Sequence, residues 1–151
     1  MEYLVGILLG FIVAAVGTFF GLDRERSFYS TILIVVASYY ALFATMGASN
    51  GTLGIECSVG VGFLVLALVG FKKSMWLVAV GIVGHGVFDG AHHLFIENSG
   101  MPVWWPGFCG TIDIVMGSYL AGRLWIKRRS GSQPVTVTFA AGTHKAHRAL
   151  R

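Results

Sequence analysis

Apolar residues occur along this chain in five long runs separated by short polar segments. An α-helix needs about 20 mostly apolar residues to cross the hydrocarbon core of a bilayer. Each of the five runs reaches roughly that length. The pattern therefore predicts an all-α integral membrane bundle of five transmembrane helices, over residues 3–21, 27–47, 52–71, 74–96 and 107–126.

The composition agrees with a membrane protein and excludes several other classes. Of the 151 residues, 55% are hydrophobic and 12% are charged, whereas a soluble globular domain carries about 25% charged residues. A water-soluble protein, a disordered chain and a nucleic-acid-binding domain are thereby excluded. Six basic and no acidic residues follow position 126. We therefore divide the chain into a five-helix transmembrane domain, residues 1–129, and a basic cytoplasmic tail, residues 130–151, that contacts anionic lipid headgroups.

The positions of Lys and Arg predict how the helices are oriented. Basic residues occur in the first and third connections, at Arg24, Arg26, Lys72 and Lys73, and again directly after the fifth run. The second and fourth connections contain no Lys or Arg. Because cytoplasmic loops collect basic residues, we predict an outer N-terminus, a cytoplasmic C-terminus and a multi-pass protein of the cell membrane, here the bacterial inner membrane.

Small residues mark one side of the first predicted helix. Gly6, Gly10, Gly17 and Gly21 fall on one narrow stripe and include two GxxxG pairs. Such stripes let helix backbones approach closely in a membrane. The stripe predicts a packing seam, either inside the monomer or between the copies of a homo-oligomer, and the sequence does not choose between them.

The acids and histidines inside the predicted spans all lie in the outer half of their helices, where Tyr39 and Tyr40 also lie. Ionisable residues are costly within a bilayer and usually serve a function. Four of them share a face of about 100° on the fourth helix. The set consists of Glu56 in the third helix, His85, Asp89, His92 and His93 in the fourth, and Asp113 in the fifth.

The three carboxylates of this set have no Lys or Arg at their own depth to neutralise them. Buried charges must be paired, bound to a metal or discharged by protonation. Histidine with carboxylate is a ligand set for Zn²⁺, Fe²⁺ or Cu²⁺. Helix spacing lets Asp89 share an ion with His93 or His92, and Asp113 or Glu56 would complete the site from a neighbouring helix. A metal-free acid/base network is the alternative.

His85 has a different predicted role, because it lies about 10.5 Å along the helix axis from His92. We expect it to hydrogen-bond to a metal ligand, to form one end of a second site, or to serve with Glu56 as the catalytic acid or base. Simpler interpretations stay open as well. His92 and His93 could cap the helix at the headgroups, and His85 could make an ordinary interhelical hydrogen bond.

The two cysteines, Cys57 and Cys109, both lie near the outer surface. A disulfide, a metal thiolate and inert small hydrophobic residues are three interpretations that two cysteines do not separate. Cys109 shares a helix face with Asp113, at a spacing of i,i+4. We include Cys109 and Tyr39 as further candidate site residues.

These residues resemble the motifs of a family of small bacterial integral membrane proteins whose function is not characterised. The resemblance covers much of residues 50–120 and leaves out the tail. It implies no activity, substrate or metal, and it supports treating the motif residues as one set. The motifs are Ile55-Glu56, Gly84-His85-Gly86-x-x-Asp89-x-x-His92-His93 and Trp105-Pro106-x-x-Cys109-x-x-x-Asp113.

Three functions compete. The first is a membrane enzyme, a metal-dependent hydrolase or oxidoreductase that acts on a lipophilic small molecule from the outer leaflet, since a bound metal activates water or supports oxidation. The second is a transporter or channel component for protons or metal ions. The third is a small accessory subunit of a membrane complex. The acid and histidine cluster favours the enzyme, because an accessory subunit would leave it unexplained.

Overall fold

The computed structural model describes residues 1–130, and this part of the chain is all-helical. Short connections join consecutive helices, except for a loop of about ten residues before the last one. Single 3₁₀ turns occur at Leu22–Arg24 and His92–Leu94. The helices are α1, Glu2–Phe19; α2, Arg26–Gly47; α3, Asn50–Lys73; α4, Met75–Ala91; and α5, Trp105–Ser130. The predicted tail, residues 130–151, lies outside the described residues apart from Ser130.

The prediction of an all-α fold is confirmed, and the membrane character of the chain is supported in part. Three helices, α1, α2 and α3, are long and apolar enough to cross a membrane. Many large apolar side chains on the surface of the bundle are exposed, such as Leu8 at 55% and Phe11 at 59% on α1. An apolar exterior of this kind suits contact with lipid. The five-span topology stays a prediction.

The fourth helix is shorter than predicted. The apolar run extends to residue 96, but α4 ends at Ala91 after 17 residues. The chain then tightens into the 3₁₀ turn, where the carbonyl oxygen of His92 accepts from both Phe95 and Ile96. The His92 side chain, at the start of this turn, meets Glu56 of α3. A tertiary contact therefore accompanies the end of the helix.

Local sequence signals account for the other helix ends. Gly21, the second residue after α1, takes a left-handed conformation with φ of 72°, which glycine adopts without steric cost. Ser49 caps α3 by accepting a hydrogen bond from the backbone N–H of Thr52. At the other end of α3, Ser74 is the single extended residue that separates it from α4.

Glycines bring α1 and α5 together. A Cβ atom on Gly6 would overlap Thr111 and the backbone of Phe108, and one on Gly10 would lie 3.0 Å from Val115. At Gly6 and Gly10 the glycine stripe of α1 thus packs against α5 within the monomer. The sequence had left this choice open, because a stripe of small residues looks the same in either kind of contact.

The buried interior has two layers. Toward the Arg24 end it is largely apolar, with Leu33, Val78, Ile82, Met116 and Leu120 almost fully buried. Toward the 95–104 loop it is polar. There the fully buried side chains belong to Glu56, His85, Asp89, His92 and Asp113. The polar layer contains the candidate site.

Candidate metal centre

Two glycines allow α4 and α5 to cross in close contact at the polar layer. A Cβ atom on Gly86 would lie 2.7 Å from the carbonyl oxygen of Gly110, and one on Gly110 would lie 3.0 Å from that of Gly86. Any larger side chain would separate the helices. The crossing places His85 and Asp89, one turn apart on α4, opposite Asp113 on α5.

His85, Asp89 and Asp113 form a compact group, referred to below as the His/Asp/Asp group. Nδ1 of His85 lies 2.7 Å from Oδ2 of Asp113 and 3.5 Å from Oδ1 of Asp89. One ligand atom from each residue lies within 4.8 Å of the other two. Nitrogen and oxygen ligands bind zinc at about 2.0–2.2 Å, so two ligands of one ion lie at most about 4.4 Å apart, and the three atoms need only small movements to share an ion. All three side chains are buried, with exposures of 1%, 0% and 0%.

Tyr40 supports this group from α2. Its hydroxyl donates a hydrogen bond of 2.7 Å to Oδ1 of Asp89, and the residue is 2% exposed. A hydrogen bond to a ligating carboxylate orients that ligand and tunes the metal. Cys109 is buried on α5, one helical turn before Asp113.

A second polar cluster lies beside the first and consists of Glu56, His92 and Asn98. Oε1 of Glu56 lies 2.8 Å from Nε2 of His92 and accepts a 2.8 Å hydrogen bond from the Asn98 amide. The same amide donates to the backbone carbonyl of Tyr40, at 3.1 Å. The Tyr40 ring stacks on the His92 ring with centroids 4.3 Å apart. Tyr40 therefore contacts both clusters.

The charge of the His/Asp/Asp group is not balanced by the described residues around it. Two carboxylates face one histidine, and no Lys or Arg among residues 1–130 reaches them. Oδ2 of Asp89 and Oδ1 of Asp113 are buried without a hydrogen-bond partner. Such orphaned oxygens are costly in an apolar interior. A divalent cation would neutralise the charge of −2 that two carboxylates and one neutral histidine carry together.

A cavity of about 740 Å³ lies beside this group, between α1, α4, α5 and the 95–104 loop. Asp89, His93 and Asn98 contribute polar groups to its wall, and Tyr3, Met101 and Ile114 contribute apolar ones. A mostly apolar wall with a few polar groups is typical of sites that bind small molecules.

The structure arranges the predicted ligands differently from the sequence-based hypothesis. It brings Asp89 and Asp113 together but adds His85, which we had expected to hydrogen-bond to a ligand or to belong to a second site. His92 lies against Glu56 instead. His93 is exposed and lines the cavity. The physical reason lies in the helix geometry, because His85 and Asp89 are one turn apart within α4, whereas His92 and His93 lie in the 3₁₀ turn after Ala91.

The other candidate residues also have defined places. Tyr39 packs edge-to-face on Trp105, with ring centroids 5.0 Å apart, and does not contact the His/Asp/Asp group. Cys57 is exposed and Cys109 is buried, and both are free thiols. The disulfide interpretation is therefore wrong for this structure. Glu56 and His85, the predicted catalytic pair, belong to separate clusters.

The sequence analysis placed Tyr40 in the outer half but chose Tyr39 as the candidate site residue, and it missed Asn98. A signal existed for Tyr40, because Ala37 and Ala44 lie one turn away on the same face of α2, and small residues often mark a helix interface. No comparable signal marks Asn98, which reaches the cluster from a loop.

No protein-family model matches the chain, and no curated protein or solved structure matches it significantly. The family resemblance carried by the motifs stays a prediction. The interpretation of the site therefore depends on its own geometry and chemistry.

Proposed function

We propose that the protein is a five-span membrane enzyme whose His/Asp/Asp group holds a divalent transition metal, Zn²⁺, Fe²⁺ or Cu²⁺. Its substrate would be a lipophilic small molecule that enters the adjacent cavity from the outer leaflet. The observation that carries this proposal is the mutual proximity, within 4.8 Å, of three buried ligand atoms from His85, Asp89 and Asp113.

The topology part of the proposal concerns α4 and α5 in addition to the three apolar helices. With 17 residues, α4 is about 26 Å long at 1.5 Å per residue, close to the roughly 30 Å of a bilayer core. The basic residues at 127–129 would face the cytoplasm. A reporter fused to the C-terminus should be active only on the cytoplasmic side, and external activity would contradict this orientation.

The donor set suits a metal ion held for catalysis. Three protein ligands leave further coordination positions open, as in catalytic zinc sites. When bound, a metal of this class would polarise a substrate oxygen or activate a water molecule. Tyr40 would hold Asp89 in place through its hydrogen bond.

The cavity suggests how a substrate would be positioned. Its apolar residues would accommodate a hydrocarbon portion, while His93 and Asn98 would face a polar group near Asp89. Among these residues His93 is an exposed titratable group, so it can exchange a proton with the substrate. Glu56 and His92 would then fix Asn98 and the 95–104 loop over the site.

Metal analysis of the purified protein tests the central claim. We expect about one transition-metal ion per chain in the wild type and a strong loss in Asp113→Asn, which keeps the size of the side chain. His93→Ala is the matched control, because it removes a histidine of the same region that lies outside the group. A wild type without metal, or equal metal content in Asp113→Asn, would contradict the proposal.

Transport of protons or metal ions is the weaker alternative. A transport path would have to continue from the His/Asp/Asp group toward the Arg24 end. Ile82, Met116 and Leu120 fill that part of the interior, with exposures of 0%, 0% and 4%. They offer no proton acceptor along the way, and the Met116 thioether is their single possible metal ligand. The structure thus supports a site with access from one side.

A further inference from the structure

A second cavity, of about 630 Å³, lies at the opposite end of the bundle from the His/Asp/Asp group. Its wall includes the connection between α1 and α2 and the last turns of α5. Four basic and two acidic residues contribute to this wall, which leaves a net charge of +2. They are Arg24, Arg26, Arg123 and Lys127, with Asp23 and Glu25.

One of the two acids is already neutralised within the protein. Asp23, whose side chain is 1% exposed, forms an ion pair with Arg123 and accepts a 2.7 Å hydrogen bond from the Thr18 hydroxyl. This pair removes one positive and one negative charge from the balance. The other three basic residues then face Glu25 alone.

The remaining basic side chains keep donors free for a ligand. One guanidinium nitrogen of Arg26 donates to the carbonyl oxygen of Gly70, at 3.1 Å, and the others are unused among residues 1–130. Within the same part of the chain, Arg24 and Lys127 make no ion pair. Arginine and lysine donors of this kind are the usual ligands of phosphate groups.

Tyr29 provides an independent indication that the cavity takes a ligand. The residue belongs to the wall and is 1% exposed, yet its hydroxyl has no hydrogen-bond partner among the described residues. A buried hydroxyl normally finds a partner. We infer that the cavity binds a phosphate group, which would accept hydrogen bonds from Tyr29 and balance the charge of Arg24, Arg26 and Lys127.

Residues 131–151 do not provide the balancing charge through a side chain, because they contain no Asp or Glu. The phosphate could belong to an anionic phospholipid, since basic residues at a membrane surface attract such headgroups. It could equally belong to a small soluble phosphate. The two sources share the same recognition chemistry and are separated by the choice of probe.

The test uses the full chain in phosphatidylcholine nanodiscs, with phosphatidylglycerol in the discs as one probe and inorganic phosphate in solution as the other. The variant is Arg24→Gln with Lys127→Gln. Its matched control is Arg129→Gln with Lys72→Gln, which removes one Arg and one Lys from outside the cavity wall. We expect about 25-fold weaker probe binding in the variant, about fivefold for each charge, and little change in the control.

Each outcome bears on the inference. Specific binding of phosphatidylglycerol alone supports a lipid headgroup, and binding of inorganic phosphate through the same residues supports a soluble phosphate. Tyr29→Phe, which keeps the ring, should weaken binding about fivefold by removing one donor. Equal binding by the double variant and its control, or by Tyr29→Phe and the wild type, would overturn the inference. None of these results depends on a metal at the other end.

Discussion

Replacing Tyr40 by Phe isolates one hydrogen bond of the candidate metal centre. The hydroxyl of Tyr40 donates to Oδ1 of Asp89 at 2.7 Å, in a region where both side chains are buried. Phenylalanine retains the ring that stacks on His92. The substitution therefore leaves packing nearly unchanged and removes a single donor from a buried carboxylate.

The expected magnitude follows from the nature of the acceptor. Interhelical hydrogen bonds in membrane proteins contribute about 0.6 kcal/mol on average, because the unfolded chain finds other partners within the membrane. Bonds to charged groups contribute about 1.5–3 kcal/mol. Asp89 already has one orphaned oxygen, Oδ2, and the loss of Tyr40 leaves Oδ1 with His85 at 3.5 Å. We expect a loss of about 2 kcal/mol in the free energy of unfolding.

The assay is reversible unfolding in mixed micelles by titration with dodecyl sulfate, followed by tryptophan fluorescence. Tyr39→Phe is the matched control, because the hydroxyl of Tyr39 makes no hydrogen bond among the described residues and its ring contacts are kept. If Tyr40→Phe and Tyr39→Phe unfold at the same point, Tyr40 does not stabilise the carboxylate as we argue. The affinity for the metal should fall about 10- to 100-fold in Tyr40→Phe and stay unchanged in Tyr39→Phe.

The glycines, the cysteines and Glu56 allow further tests. Gly86→Ala should lower stability by about 1–3 kcal/mol, because the added Cβ meets a carbonyl oxygen of α5, whereas Gly84→Ala meets nothing within 4 Å. Equal unfolding of the two variants would contradict the close crossing. In detergent micelles, a small apolar maleimide should label Cys57 on the surface of the folded bundle and Cys109 only after unfolding, as read by mass spectrometry of the peptides. Rapid labelling of both cysteines in the folded protein would contradict the burial of Cys109. Glu56→Ala should lower the free energy of unfolding by about 3 kcal/mol, since two buried donors lose their acceptor. An unchanged midpoint in the dodecyl sulfate titration would be inconsistent with that network.

The helical fold was predictable because the signals for it are local. Long apolar runs and short polar connections define the helices before any contact between them forms. The end of α4 was not predictable in this way. Residues up to Ile96 continue the apolar run, but the chain leaves the α-helix at Ala91, in a place where His92 contacts Glu56. That contact joins residues 36 positions apart, so no local pattern contains it.

The candidate site, too, was predictable only where the signal lies within one helix. Helical periodicity alone places His85 and Asp89 on one face of the fourth helix, and their unneutralised charge marks them as functional candidates. The choice of partners depends on how far each helix is rotated and shifted against its neighbours. Here Asp113 faces His85, and Tyr40, not Tyr39, reaches Asp89.

Hydropathy and charge along the chain thus suffice for the all-helical fold, for the candidate membrane spans and for the acids and histidines of the site, but not for the end of α4 or for Asn98. The grouping of those side chains into two clusters arises where helices touch. At that point the absence of side chains on Gly86 and Gly110 lets the backbones of α4 and α5 meet. A shift of one helix by one residue would change which side chains face each other. Periodicity describes a single helix, whereas a site shared by several helices depends on their mutual geometry.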